Sequence, residues 1–286
     1  MGRIVSLIRY RFFLFAGILP YLLGTTIAYR ITQTFQAHNF WIGLLGLFFV
    51  FVGVETFNEY FDYKYGGDRI FSEKDIHIPG YVFWLGLSAF AIAFAIGIYL
   101  AFHGFEKIIL LALLGFLAAA FYVGPPIRWV YRGWGEIVIA ISYGPLLVFG
   151  SYYLQCGQMD YAPVIGSLFC GLLIFSLSLI NEIPDFFQDR LVGKNNLVVR
   201  LGKRRAIRLF GVSVISTFVV VVLAVIFKEL PALSLVVLLV LPFVLKGLKT
   251  AQRYFDQPQQ FTSAIRMAIL SYVFMISILG ISYIVG

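Results

Sequence analysis

Long apolar runs recur along the whole chain and are separated by short polar links. Runs of roughly 20 apolar residues match the ~30 Å hydrocarbon core of a bilayer, so this pattern predicts membrane-spanning α-helices. We expect an all-α, multi-pass membrane protein that forms a single domain over residues 1–286. The nine predicted spans are residues 12–29, 41–62, 81–102, 108–123, 136–154, 162–183, 209–227, 232–248 and 264–284.

The composition strengthens this interpretation. The 286 residues are 60% hydrophobic and 18% aromatic, only 13% are charged, and the mean hydropathy is +0.90. A soluble globular domain carries about twice that share of charged residues. The two cysteines, Cys156 and Cys170, are too few and too poorly placed for a disulfide framework or a zinc site.

The distribution of lysine and arginine predicts the orientation in the membrane. With a cytoplasmic N-terminus and nine alternating spans, the outer side holds only Arg30, Lys107 and Lys228. The other basic residues then lie on the inner side, as the positive-inside rule expects. We therefore expect a cell-membrane protein with a cytoplasmic N-terminus and an outer C-terminus. The same rule accounts for the net charge of +8, so this charge does not indicate nucleic-acid binding.

The densest group of charged residues lies at the end of the sixth predicted span. Asn181, Asp185 and Asp189 recur every four residues, which on a continuous helix places them on one ridge. Basic residues follow directly, beginning with Arg190 and Lys194. A row of carboxylates suits a hard cation, and the neighbouring basic cluster suits an anion.

The end of the second predicted span carries a related pattern. Asn58 and Asp62 repeat the Asn-x3-Asp spacing, and Asp68 follows six residues later. The second and sixth spans both run from outside to inside in the predicted topology, so the two motifs reach the same cytoplasmic rim. Facing carboxylates can hold Mg2+, which usually shares its coordination with substrate phosphates. Diphosphate chemistry is therefore the first hypothesis.

Two more carboxylates, Glu55 and Glu59, lie in the last turns of the second predicted span. An ionisable residue inside a membrane segment is costly and is interpreted as functional by default. The alternative is that both side chains are simply solvated at the helix end.

Three blocks in this order resemble the UbiA-type intramembrane aromatic prenyltransferases: residues 58–68, 122–136 and 181–202. The first motif has the longer form Asn-x3-Asp-x5-Asp, which is similar to the 1,4-dihydroxy-2-naphthoate branch of menaquinone synthesis. The resemblance implies an all-helical bundle around a central cavity that opens at the cytoplasmic rim. It also implies Mg2+-dependent transfer of a polyprenyl group from a diphosphate donor to an aromatic acceptor within the lipid bilayer.

The resemblance also implies roles for individual residues. Asp62 and Asp185 would be essential metal-binding groups for catalysis, and Tyr122 would stabilise an allylic cation with its ring face. The implied metal ligands are Asp62, Asp68, Asp185 and Asp189. The implied substrate-binding residues are Asn58, Lys64, Arg69, Arg128, Arg132, Asn181 and Lys194.

Two alternatives stay open at this stage. The same chemistry could act on another acceptor, such as 4-hydroxybenzoate, homogentisate, a porphyrin or a lipid. A different class, an ion-coupled transporter, also places acidic residues in membrane helices. Transport sites usually lie near the bilayer midplane, however, whereas both acidic motifs here lie at one rim.

Overall fold

The computed structural model describes residues 2–65 and 78–286, and the side chains from residue 16 onward within those ranges. These residues form α-helices joined by short turns, without β-strands. The all-α prediction is therefore confirmed for the described part of the chain. The helices are α1 (Gly2–Thr32), α2 (Ala37–Lys64), α3 (Tyr81–Phe102), α4 (Lys107–Val123), α5 (Gly135–Ile141), α6 (Leu147–Cys156), α7 (Val164–Glu182), α8 (Phe186–Leu191), α9 (Leu197–Leu201), α10 (Lys203–Ile226), α11 (Leu241–Tyr254) and α12 (Pro258–Val285).

Three shorter helical segments complete the chain path. A 3-10 turn over Trp129–Arg132 precedes α5, and a 3-10 segment over Ala232–Val240 runs directly into α11. One π-helical turn, Ser142–Leu146, joins α5 to α6 and contains Pro145. Proline lacks the N–H of a regular helical hydrogen bond, so the wider turn lets α5 and α6 continue as one rod.

Seven helical segments in the described residues are long and apolar enough to cross a bilayer. They are Ala37–Lys64, Tyr81–Phe102, Gly135–Cys156, Val164–Glu182, Lys203–Ile226, Ala232–Tyr254 and Pro258–Val285. Helix α4 is also apolar, but its 17 residues rise only about 25 Å, slightly less than the ~30 Å hydrocarbon core. The full count of nine spans stays a prediction.

Helix α7 lies at the centre of the larger of two hydrophobic cores. Its residues Phe169, Ile174 and Ile180 have no solvent exposure, and α1, α10 and α12 pack around it. A second, smaller core joins α2, α3 and α4 through aromatic rings. In that core the rings of Phe57 and Phe90 meet edge to face with centroids 5.1 Å apart. The space between the two cores contains the cavity described next.

Candidate active site

A cavity of about 610 Å³ lies between α2, α3, α4 and the α5–α6 rod. Its volume is within the range of small-molecule binding sites. Helix α2 contributes one continuous stripe of lining residues at helical spacing: Gly43, Gly46, Leu47, Val50, Phe51, Val54, Glu55 and Asn58. From the first of these to the last, the stripe extends roughly 22 Å along the helix axis. The walls are mainly apolar, so a long hydrocarbon chain fits the chemistry of the cavity.

Tyr122 and Asn58 both line the cavity, and Asp62, one turn beyond Asn58 on α2, lies close enough to act on Tyr122. Tyr122 and Asn58 therefore mark one end of the cavity, which we call the mouth. The carboxylates of Asp62, Glu136, Glu182 and Asp189 all lie close enough to the Tyr122 hydroxyl to act on it electrostatically. Acidic groups from α2, α5, α7 and α8 therefore converge around one tyrosine at the mouth.

Lys194 connects the two acidic motifs. Its Nζ lies 2.9 Å from Asp62 Oδ1, and its backbone N–H donates to the Asp189 carbonyl at 2.9 Å. Burial of the ammonium disfavours its charge, but the negative charges of Asp62 and Asp189 and the hydrogen bond to Asp62 outweigh this. They raise the pKa of Lys194 above its ordinary value, so it stays protonated. The first motif and the second motif thus meet at one cation.

The second motif does not form the continuous ridge that its four-residue spacing suggested. Helix α7 ends at Glu182, residues 183–185 form a turn, and α8 starts at Phe186. Pro184 causes the break, because its ring and its missing N–H cannot continue a helix. Asn181 therefore lies at the end of α7, Asp185 in the turn, and Asp189 in α8.

Two buried side chains fix the segment that carries Asp189 and Lys194. Asn196 Nδ2 donates to Asp189 Oδ2 at 2.8 Å, while its Oδ1 accepts from the Val199 N–H at 2.8 Å and caps α9. Glu136 Oε1 accepts from the Leu197 N–H at 2.6 Å. The sequence patterns did not single out either side chain, although both lie within the blocks 122–136 and 181–202 that resemble the prenyltransferases. The usable signals were an asparagine before a short helix and a carboxylate at the start of a span.

Arg128 lies between two aromatic rings beside the end of α2. Its guanidinium carbon is 3.9 Å from the Tyr65 ring centroid and 3.6 Å from that of Tyr131. Its backbone adopts the left-handed region with φ 55°, which is uncommon for a residue other than glycine. Its buried Nε has no hydrogen-bond partner among the described residues. A cation fixed in this way is suited to contact an anion.

The remaining predicted cations are placed differently. Arg132 is exposed, and its Nη2 lies 3.5 Å from the Pro126 carbonyl. Lys64 is exposed over the Tyr60 ring, on another face of α2 from the stripe that leads to Asp62. The structure does not bring the Lys64 side chain to the mouth. The predicted residues Asp68 and Arg69 lie outside the described residues.

The chemistry of the mouth can be tested against Mg2+. No group of three or more acidic, histidine or cysteine side chains in the described residues could hold a metal by itself. Magnesium, however, usually takes one or two carboxylates and completes its coordination with substrate phosphates and water. The buried Asn58 Oδ1 has no hydrogen-bond partner among the described residues and is free to meet a ligand. The donor set therefore fits Mg2+ that binds together with a diphosphate.

Two curated relatives resemble the chain over most of its length. It is 25% identical over 275 residues to the 2-carboxy-1,4-naphthoquinone phytyltransferase of Synechocystis sp., covering 93% of this chain and 88% of that protein. It is also 25% identical over 232 residues to the 1,4-dihydroxy-2-naphthoate octaprenyltransferase of Bacillus subtilis, covering 78% and 73%.

Two solved structures share the fold. A UbiA homolog from Aeropyrum pernix K1 matches with a TM-score of 0.69 at 14% identity, covering 92% of this chain and 96% of that one. A UbiA homolog from Archaeoglobus fulgidus bound to DMAPP and Mg2+ matches with a TM-score of 0.57 at 15% identity, covering 94% and 96%.

The match to a family is the broadest of these findings. Residues 17–278 match the UbiA prenyltransferase family, and this range contains the cavity, both acidic motifs and the segment that connects them. The match decides between the enzyme and transporter hypotheses. With two carboxylate motifs meeting at the mouth of an apolar cavity, the chain belongs to the UbiA prenyltransferase family and is a prenyltransferase.

Proposed function

We propose that this enzyme transfers a polyprenyl group from an isoprenyl diphosphate to 1,4-dihydroxy-2-naphthoate, with Mg2+, in menaquinone biosynthesis. One observation carries the proposal: Asp62 and Asp189 share Lys194 at the mouth of a 610 Å³ apolar cavity. This arrangement offers a charged end for a diphosphate and an apolar space for its tail. The naphthoate acceptor is supported by the names of the two curated relatives.

The charged end would bind the diphosphate. Asp62, Asp185 and Asp189 would hold Mg2+ with the diphosphate, assisted by Asn58 and Asn181, and Asp68 is the predicted fourth carboxylate. When bound, the metal neutralises charge on the leaving diphosphate as the allylic C–O bond breaks.

Two cations would contact the phosphates directly. Lys194 is held 2.9 Å from Asp62 and stays protonated, so a phosphate oxygen at the mouth meets a fixed positive charge. Arg128 is held between two rings and keeps a donor without a partner among the described residues. Charge-assisted hydrogen bonds of this kind are about twice as strong as neutral ones. The exposed Arg132 and Lys64 are weaker candidates for the same role.

The apolar end would hold the prenyl chain and protect the reaction. An allylic cation in water is captured by hydrolysis, and a dry cavity prevents this. Tyr122 lines the mouth, where the allylic carbon would lie next to the diphosphate, so its ring face can stabilise the cation. The acceptor ring then attacks that carbon from inside the cavity.

The proposed location follows from the charge distribution of the sequence. We place the enzyme in a cell membrane with nine spans, including α1 and α4, with the N-terminus and the active site on the cytoplasmic side. The C-terminus is then on the outer side. A cysteine-accessibility assay on intact cells tests this arrangement at each terminus.

The central experiment offers purified enzyme a labelled prenyl diphosphate with a panel of aromatic acceptors and identifies the products by mass. We expect 1,4-dihydroxy-2-naphthoate to be prenylated with loss of CO2, and chelation of Mg2+ to abolish the product. Faster turnover of 4-hydroxybenzoate or homogentisate would overturn the acceptor assignment. If no acceptor gives Mg2+-dependent product, the proposed function is wrong.

A further inference from the structure

Glu55 is a carboxylate inside the cavity that the proposed donor chemistry does not use. It lies on the lining stripe of α2, one turn deeper than Asn58 and about 10 Å along the helix axis from Asp62. Its side chain is half-buried among apolar neighbours. Glu59, one turn further along α2, is exposed and does not line the cavity. The alternative that these side chains are simply solvated at a helix end therefore fits Glu59 and does not fit Glu55.

The Glu55 carboxylate has neither a hydrogen bond nor an ion pair in the part of the chain that the structure describes. The charged group that acts on it from its own helix is Glu59, and the titratable group that faces it across the cavity is Tyr143. Burying a carboxylate without a partner is costly. A bound molecule that donates a hydrogen bond to Glu55 would remove this cost.

An aromatic wall lies next to this carboxylate. The rings of Phe51 on α2 and Tyr143 in the π-helical turn stack with centroids 6.2 Å apart and planes at 23°. Both rings line the cavity. A flat aromatic molecule can rest against this wall with a ring hydroxyl directed to Glu55, while the diphosphate occupies the mouth.

We propose that Glu55 binds the acceptor and accepts the proton of its ring hydroxyl while the new C–C bond forms. This inference rests on the proposed function and names the acceptor side of the same site. It assigns the two ends of the α2 stripe to the two substrates, with the donor at Asn58 and Asp62 and the acceptor at Glu55.

The step balances without an added oxidant or reductant. The allylic C–O electrons leave with the diphosphate, and the acceptor carbon that carries the carboxylate supplies the electron pair of the new C–C bond. The neighbouring O–H bond breaks, its electrons form a C=O bond, and Glu55 takes the proton. The resulting β-keto carboxylate loses CO2, the ring regains aromaticity, and the oxygen recovers its proton from Glu55.

The first test compares Glu55→Gln with Glu59→Gln, which removes the same charge one turn away. We expect Glu55→Gln to lower kcat for 1,4-dihydroxy-2-naphthoate at least about 100-fold, the lower end of the usual effect of losing a proton acceptor. Mg2+-dependent binding of the prenyl diphosphate should be unchanged, and Glu59→Gln should behave like the wild type. Glu55→Asp should restore part of the rate. Equal turnover by Glu55→Gln and the wild type would overturn the inference.

A second test uses an acceptor whose hydroxyl next to the carboxylate-bearing carbon is methylated. We expect the wild type to lose at least as much rate with this ether as Glu55→Gln loses with the natural acceptor, because the methylated oxygen has no proton to release. The variant should lose little more with the ether, because both changes remove one interaction. Losses that multiply would overturn the inference. The measurements on the wild type do not depend on whether a variant folds. If the wild type transferred no prenyl group to the natural acceptor, the proposed function would be contradicted instead.

Discussion

Helices α7 and α2 have similar hydropathy, yet the molecule uses them in opposite ways. In α7, 67% of the apolar stretch is buried within the protein, whereas in α2 the share is 28%. Helix α7 is surrounded by α1, α10 and α12 and leads from a packed core into the second acidic motif. Helix α2 presents a stripe to the cavity and ends in the first acidic motif. One side of the site is therefore held by a packed core around α7, which we call the packed support. The other side is the face of α2 that lines the cavity, which we call the open wall.

The difference bears on the proposal that one cavity binds both the donor and the acceptor. A tightly packed helix leaves no space for a ligand, because protein interiors are as dense as organic crystals. A helix with a free stripe can present several chemical groups along its length, spaced by helical turns. On α2 these are an amide and a carboxylate at the mouth and another carboxylate about 10 Å below.

The largest effect is expected where the two regions meet. Changing Asp62 or Asp185 to asparagine should lower kcat/KM at least about 100-fold, because each change removes a charge that would help to hold Mg2+ and the diphosphate. Both variants should remain folded because asparagine keeps the volume of aspartate, although Asp62→Asn should lower the thermal midpoint because Lys194 loses its ion-pair partner. Labelled-prenyl transfer and thermal unfolding are the measurements.

The matched control for these variants is Glu106→Gln, which removes an exposed carboxylate at the start of α4. It should leave both transfer and stability unchanged. Normal turnover by Asp62→Asn or Asp185→Asn would remove that carboxylate from the proposed metal site.

The fold and the meeting of the two motifs could be inferred from the sequence, because hydropathy sets span length and short loops set direction. The break at Pro184 was also visible, but the regular spacing of Asn181, Asp185 and Asp189 favoured a continuous helix. Helical geometry alone could have separated Lys64 from Asp62, since residues two positions apart lie on different faces.

Other features could not be inferred because they depend on contacts between distant segments. The pairing of Lys194 with Asp62 requires α2 and the loop after α8 to be placed in space. The hydrogen bond from Leu197 to Glu136 is of the same kind. The position of Glu136 at the start of a span marks it as unusual, but neither residue type nor spacing identifies Leu197 as its partner or Asp62 as the partner of Lys194.

A smaller loss of activity is expected from a change at Glu136, which anchors the segment that carries Asp189 and Lys194. Glu136→Ala removes a fully buried carboxylate and leaves the partly buried Leu197 N–H without its acceptor, which should lower the free energy of unfolding by about 1–3 kcal/mol. It should also lower transfer, because the segment with Asp189 and Lys194 loses one of its two anchors. Denaturant unfolding and the transfer assay measure the two effects.

Glu136→Gln is the control, because glutamine keeps a carbonyl oxygen that can accept from Leu197. It should retain most of the stability and activity. If Glu136→Ala were as stable as the wild type, the proposed anchoring of this segment would be wrong.

The smallest chemical change, a single methyl group, distinguishes the packed region from the open one. A Cβ on Gly144 would lie 2.6 Å from the Ser167 carbonyl oxygen and 2.8 Å from the Gly171 Cα, both backbone atoms of α7. Gly144→Ala should therefore cost about 1–3 kcal/mol, the usual range of overpacking, because the backbone atoms of α7 cannot move aside as a flexible side chain can. A Cβ on Gly115, on the cavity-lining face of α4, meets nothing within 4 Å. Gly115→Ala should not lower stability and should raise it by up to about 1 kcal/mol, because alanine favours the helix more than glycine does. Gly115→Leu should favour shorter prenyl donors because it occupies cavity volume. Equal destabilisation by the two alanine variants would contradict the division into a packed support and an open wall.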